Sequence, residues 1–418
     1  MLIERSQYSV FKKVILRILL IYFILYIIPY GFEYIPIDTD DYSLWEQVTI
    51  WFGETFFGWE FDPDRLYKGF DSKYDFSRFT LIGVVSLSGA FIWLFLDRKM
   101  SWEYNSRLKS VLQTILRYHL GFTLILYGIA KVYPLQFGST GLDRLSTEFG
   151  DFHPMNLLWA FMSYSRFYTA VTGWVEVLGG IFLLFRKSTF LGIFLCFVAM
   201  VNVVVIDIGY DVTVKMFAIH LLIMSFILLM DHYKRIVNFL VLNQVVKPFR
   251  YFYLFEGKPM LGIILKLVVI STFTYFTISG TSDRLEVETK NTNSYLSSTH
   301  RVRKMIVNGD TLENTDSRIW EKINISASNY SKDFVSVKVA GERSKFYKLE
   351  LDSVIRRIKF IDRNVESDIY DFEYELLPNK RYIFRGYHLG DSIIISTEAR
   401  VQDDFFLVRN QRRWIRDL

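Results

Sequence analysis

Cysteine is nearly absent from this chain: Cys196 is the single one, and it falls inside an apolar run. A disulfide framework, a CxxC redox pair and a cysteine zinc site are therefore excluded within the chain, and no metal site is expected. Also missing is a small-residue cleavage site after the first apolar run, which ends Ile27-Ile28-Pro29-Tyr30. That run has the basic start and apolar core of a signal peptide, but its ending predicts an uncleaved helix. No inverted repeat is visible and no apolar run is broken, which ranks a transporter last among the functional readings. Nucleic-acid binding has no support, because the basic residues sit beside apolar runs or are scattered over strands.

Apolar length is what the chain has in abundance. Of its 418 residues 51% are hydrophobic, but that average mixes two halves: 1–280 carry long apolar runs, while 281–418 alternate and are heavily charged. Crossing ~30 Å of hydrocarbon takes about 17–25 apolar residues. Seven runs qualify: Val14–Tyr30, Thr80–Leu96, Leu112–Val132, Thr169–Phe185, Thr189–Ile208, Val214–Met230 and Leu261–Ile278. Basic residues flank them in a pattern. Lys12 and Lys13 precede the first run; Arg98, Lys99, Arg107 and Lys109 lie between the second and third; Arg186 and Lys187 follow the fourth; Lys234, Arg235, Lys247, Arg250 and Lys258 follow the sixth. All these loops fall on one side, which the positive-inside rule makes cytoplasmic. The loop Gly31–Phe79 is instead acidic, with Glu33, Asp38, Asp40, Asp41, Glu46, Glu54, Glu60, Asp62, Asp64, Asp71 and Asp75. Within it Leu44, Val48, Trp51, Phe52 and Phe56 form a helical stripe, suited either to the outer interface or to packing on the spans.

Polar side chains stand out inside these runs. Lys131, Glu176, Asn202 and His220 lie within spans, Asp207, Asp211 and Lys215 lie at span ends, and all fall toward the outer side. A charge at the centre of a span costs roughly 2.5–3.5 kcal/mol, so such residues face a bundle interior or a wet cavity. The expectation is one polar pocket open to the extracytoplasmic side. Gly121 and Gly128 share a helix stripe with Arg117 and Lys131, and Gly173 and Gly180 share one with Glu176. Glycines so placed let two helices approach closely. Lys131 can snorkel to the interface or pair with Glu176, which is too short to snorkel far; such a pair either fixes register or belongs to a site. Asp211 and Lys215 are spaced to pair at i, i+4, and His220 is either a satisfied core histidine or a ligand.

Beyond a polar linker, Ser279–Thr299, alternating runs recur at Lys322–Ser326, Phe334–Val339, Phe346–Leu351, Ile358–Ile361, Asp371–Leu377, Arg381–Gly386, Ser392–Arg400 and Phe405–Arg409. That spacing predicts an antiparallel sandwich or small barrel. The tail Arg409–Arg416 is basic, with Trp414 placed either to close the core or to meet lipid headgroups or an acidic partner. The chain thus divides into a two-span hairpin (1–111), a four-helix unit (112–235), a cytoplasmic connection with the seventh span (236–280) and an extracytoplasmic β-domain (281–418).

The motif Arg117-x3-Gly121-x6-Gly128-x2-Lys131, then Glu176-x2-Gly179-Gly180 with Leu183-Leu184, resembles the DoxX-like family of bacterial membrane proteins. Tyr210 to His220 resembles the closing part of that family's four-helix unit, and the membrane domain of vitamin K-dependent carboxylase-like proteins shares a similar helix. The resemblance covers about 112–230. It implies a bacterial cytoplasmic membrane and an association with quinone or sulfur redox chemistry, and identifies no substrate. The Asn410–Trp414 ending is similar in layout to a longer bacterial form of the family. A quinone slot needs donors for two carbonyls, which His220, Lys131 and Tyr127 would offer. Haem is disfavoured because His119 and His220 differ in depth by about 10 Å at 1.5 Å per residue. The alternative is a non-enzymatic anchor that presents the β-domain to a protein partner, its buried charges fixing helix register.

Overall fold

The computed structural model describes residues 10–33, 44–62, 66, 68–96, 102–138, 140–246, 258–291, 297–313, 316–328, 331–342, 344–362, 365 and 367–409. The basic residues Arg98, Lys99, Lys247 and Arg250, the acidic Asp38, Asp40, Asp41 and Asp64, and the tail with Trp414 lie outside them. The helices are α1 (Val10–Glu33), α2 (Leu44–Phe57), α3 (Lys73–Leu96), α4 (Trp102–Val132), α5 (Leu142–Ser146), α6 (Pro154–Tyr164), α7 (Arg166–Leu184), α8 (Thr189–Gly209), α9 (Lys215–Met230), α10 (Tyr233–Ile236), α11 (Pro259–Asn291) and α12 (Phe406–Arg409). The strands are β1 (Ser298–Val307), β2 (Asp310–Thr311), β3 (Trp320–Ser328), β4 (Ser331–Val339), β5 (Lys345–Asp352), β6 (Arg357–Asp362), β7 (Ile369–Leu377), β8 (Arg381–His388) and β9 (Asp391–Arg400).

Two compact units result, one from 1–133 with 167–277, the other from 134–166 with 278–418. In the first, Lys73–Leu96, Tyr104–Val132, Arg166–Leu184, Thr189–Gly209 and Pro259–Glu286 are long and apolar enough to cross a membrane; α9 joins them if it is counted with the stretch to Phe239, bent from it by 70°. Leu112, Leu116, Leu120 and Leu124 recur every fourth residue on α4 and enter one core with Leu16, Leu20, Phe23 and Tyr26 of α1. Polar contacts fix which helix ends lie together. Lys109 pairs with Asp231, and Gln113 donates to it. Lys266 Nζ donates to the Leu184 carbonyl at 2.7 Å. At the opposite ends of α9 and α3, Asp71 accepts the backbone N–H groups of Lys215 at 2.8 Å and Met216 at 2.9 Å, capping α9. The stripe on α2 divides: Phe52 is buried, while Leu44, Val48, Trp51 and Phe56 stay exposed.

Two boundaries move from their expected places. α4 begins ten residues before the apolar run at Leu112, so Arg107 and Lys109 lie on the helix. α11 continues to Asn291, so the first half of the expected flexible linker is helical; Arg284, Leu285 and Glu286 are good helix formers.

The second unit is built on a closed sheet. Its strand order is β1-β3-β4-β5-β6-β7-β8-β9, with β2 appended to β1 and β1 pairing β9 to close an eight-stranded antiparallel barrel. Closure removes the edges an open sheet would expose. Alternate residues point inward: Ile323, Ile325, Val335, Val337, Tyr347, Leu349, Ile358, Phe360, Phe372, Phe384, Ile393 and Ile395 fill the core. Strand β1 lies partly in the expected linker, and Phe405–Arg409, expected as a strand, holds the short helix α12.

His300 on β1 is fully buried in the barrel, where Ser298 Oγ lies 2.8 Å from Nε2 and Thr397 Oγ1 lies 3.0 Å from Nδ1. Burial lowers its pKa to about 3, so the folded ring is neutral. An unfolded chain takes up this proton near pH 6.5, the ordinary histidine value. The contribution to stability is therefore complete above about pH 6.5 and is lost as pH falls toward 3, with a slope near 1.4 kcal/mol per pH unit. Denaturant unfolding of the detergent-solubilised protein, followed by the far-UV signal of the sheet, should show this slope in the wild type. It should be flatter in His300→Gln.

Candidate functional site

Helices α4 and α7 meet backbone to backbone. A Cβ added at Gly128 would lie 2.5 Å from the Gly173 carbonyl oxygen, and one added at Gly180 would lie 2.5 Å from that of Gly121. These are distances no real Cβ tolerates, so glycine alone permits the approach. Gly192 brings α8 equally close to α7, 2.7 Å from the Leu183 nitrogen by the same measure.

Above this contact Lys131 of α4 and Glu176 of α7 form a direct ion pair, with residue exposures of 8% and 3%. Their burial excludes both the snorkelling lysine and the lipid-facing carboxylate. Asp207, near the end of α8, is also buried and lies within the field of Lys131, Glu176, Asp71 and Lys215. Glu176 Oε2 and Asp207 Oδ2 have no hydrogen-bond partner among the described residues. Nearby in the chain, Lys215 Nζ reaches Asp211 at 2.8 Å and Asp71 at 3.7 Å, and Asp211 is mostly exposed. Lys131, Glu176 and Asp207 thus form the buried cluster, with Asp71, Asp211 and Lys215 as a second, more open group linked to it through Asp207.

Two expected members stand elsewhere. Asn202 is exposed on α8, away from the cluster. His220 is buried in an aromatic box, stacked on Tyr26 at 4.5 Å and against Phe79 at 4.5 Å. Its Nδ1 lies 2.6 Å from the Met216 carbonyl, so Nδ1–H donates there. In the neutral ring Nε2 then accepts from the Tyr22 hydroxyl, 2.7 Å away. Both ring nitrogens are occupied, which is a satisfied core histidine. Tyr127 is 38% exposed and contacts Phe217.

Sequence reasoning missed a polar constellation in the second unit. Asp143 Oδ1 accepts from Asn324 Nδ2 at 2.6 Å and Ser336 Oγ at 2.9 Å. Lys322 donates to the Ser146 carbonyl. These bonds seat the segment around α5, which lies between α4 and α7 in the chain, on the outer wall of the barrel. No single run signals the arrangement, since its residues are some 180 positions apart.

The molecule is thus a bundle of long apolar helices with a buried ion pair at a glycine-lined helix contact, carrying a β-barrel. No family model and no solved structure matches the chain. It is 32% identical over 119 residues to the "Uncharacterized protein YwoB" of Bacillus subtilis (strain 168), an overlap of 28% of this chain and 75% of that protein. The chain belongs to the YwoB family.

Lys131→Met and Glu176→Gln should each destabilise the protein by about 3–5 kcal/mol, since each strands the other partner, and the double variant should recover most of the loss. Thermal unfolding in detergent measures both. Gly180→Ala should cost about 1–3 kcal/mol by overpacking. Gly121→Ala should cost less, because its added Cβ meets the Gly180 oxygen at 3.2 Å rather than 2.5 Å.

Proposed function

We propose that this chain is an integral membrane protein of DoxX-like type that crosses the bacterial cytoplasmic membrane seven times. It acts as an anchor, presenting its β-barrel on the extracytoplasmic side to a partner. The observation that carries the reading is the seating of Asp143 on Asn324 and Ser336. The two sides of that contact must lie on one face of a membrane. Between them run α7, α8, α9 and α11, an even number of crossings only if α9 spans as well. The contacts of Asp71 with α9, and of Lys109 and Gln113 with Asp231, agree with the same alternation. The basic residues near the inner ends, among them Arg186 and Lys187, favour a cytoplasmic face there. His220 favours the anchor over a quinone slot, since neither ring nitrogen is free to meet a carbonyl.

A redox role at the cluster is the second reading, favoured by the two buried carboxylate oxygens without partners, on Glu176 and Asp207. The Lys131→Met, Glu176→Gln double variant separates the two: an anchor recovers function along with stability, and a redox site recovers stability alone.

Topology is tested in a Cys196→Ala background with single cysteines at Gly150 and Ser367, both exposed. An impermeant thiol reagent should label both from outside intact cells or spheroplasts. Labelling of either one only after the membrane is breached would overturn the reading.

A further inference from the structure

The register of the barrel puts three cations in one line. Arg301 on β1 stands directly opposite Lys322 on β3, and Lys322 stands opposite Lys338 on β4. Directly opposed side chains on antiparallel strands have Cβ atoms about 4.5–5.5 Å apart, and like charges so placed destabilise a sheet. The neighbouring row holds Thr299, Asn324 and Ser336, again direct partners. Both rows line a cleft of about 1200 Å³ on the barrel's outer wall, beneath the segment around α5.

Of the other charges in this cleft, Glu148, Asp151 and Glu321 make no ion pair among the described residues, and the rest are held. Arg303 and Glu398 pair with each other, and Glu398 also stands directly opposite Arg301, so the unrelieved part of the row is Lys322 against Lys338. Asp143 is held by Asn324 and Ser336, and Lys322 by the Ser146 carbonyl. Burial lowers the Lys322 pKa, while Glu148, Asp143 and Asp151 on the covering segment pull it the other way. Arg301 and Lys338 make no ion pair among the described residues. The Thr299 hydroxyl is buried, with the residue 5% exposed, and has no hydrogen-bond partner among the described residues.

We infer that this cleft binds a phosphate ester, its phosphate lying along the Arg301–Lys322–Lys338 row and accepting a hydrogen bond from the Thr299 hydroxyl. Glu398 offsets the row at Arg301 only; a multiply charged anion would also relieve Lys322 against Lys338, where one carboxylate offsets a single cation. The arginine fork matches phosphate geometry, and the lysines add point charge. The cleft is far larger than inorganic phosphate needs, so the group belongs to a larger molecule, either a soluble ester or a lipid headgroup.

Calorimetric titration of the full-length protein in detergent tests this with two probes, glycerol phosphate and dioctanoyl phosphatidylglycerol. The measurement is independent of membrane topology. Saturable binding of at least one probe is expected, weakened at least tenfold in Arg301→Gln, Lys338→Gln and in Thr299→Val. Binding should be unchanged in Arg385→Gln, which lies on β8 and is not among the cleft-lining residues. Binding of the soluble ester assigns a free phosphate compound; binding of the lipid alone assigns a headgroup. The Arg301→Gln, Lys338→Gln variant should melt close to wild type, because the relief of opposed cations offsets the loss of the Arg301 charge opposite Glu398. If it does melt early, the charge-keeping pair Arg301→Lys, Lys338→Arg should still bind within about threefold of wild type. Absence of saturable binding to both probes, binding undiminished in the neutral double variant, or equal loss in the charge-keeping pair would overturn the inference.

Discussion

The contact between α4 and α7 constrains the rest of the helical unit. Their backbones touch at two levels, Gly128 against Gly173 and Gly121 against Gly180. Small residues at a helix contact let the backbones approach closely enough for packing itself to supply the attraction. That approach puts Lys131 and Glu176 within direct reach, and the pair then satisfies a charge that would otherwise be stranded. The ion pair depends on the glycines more than they depend on it. A pair held at such a contact has one geometry available, which makes it a register device whatever else it does.

The helical half was legible because its signals are local. Each of the seven apolar runs falls on a helix, α1, α3, α4, α7, α8, α9 and α11, but among the described residues only five of these, or six with the bent α9 stretch, are long and apolar enough to cross a membrane. Glycine spacing was enough to name Gly121, Gly128, Gly173 and Gly180 as a contact, because an α-helix fixes which residues share a stripe. Side-chain depth was a weaker guide. His220 and Glu176 lie toward the same end of the bundle, but rotation about the helix axis sends the histidine to Tyr22 and Tyr26 and leaves Asn202 on the outer surface. Depth is one coordinate of two, and a sequence without its partners states the second poorly.

The barrel was legible in its middle and obscure at its seam. Strands β3 to β9 announce themselves by alternation, whereas β1 reads Thr-His-Arg-Val-Arg-Lys, with a histidine inward and cations outward. Its inward histidine is tolerated because Ser298 and Thr397 meet both ring nitrogens. Its outward cations, Arg301, Arg303 and Lys304, are exposed, and the first two border the cleft. Neither circumstance can be read from β1 alone. The Asp143 contact is obscure for the same reason, since it joins a loop between two spans to strands far along the chain.

That contact and the β1–β9 seam together impose an order on biosynthesis. The segment around α5 emerges from the ribosome well before any strand of the barrel, and the first strand cannot find its closing partner until the last has been made. Until then, polar groups built to meet each other, Asp143 among them, stand apart, and the first strand keeps an open edge. Completion of the barrel is therefore what unites the early segment with its late partners, once everything from α7 to α11 has been made.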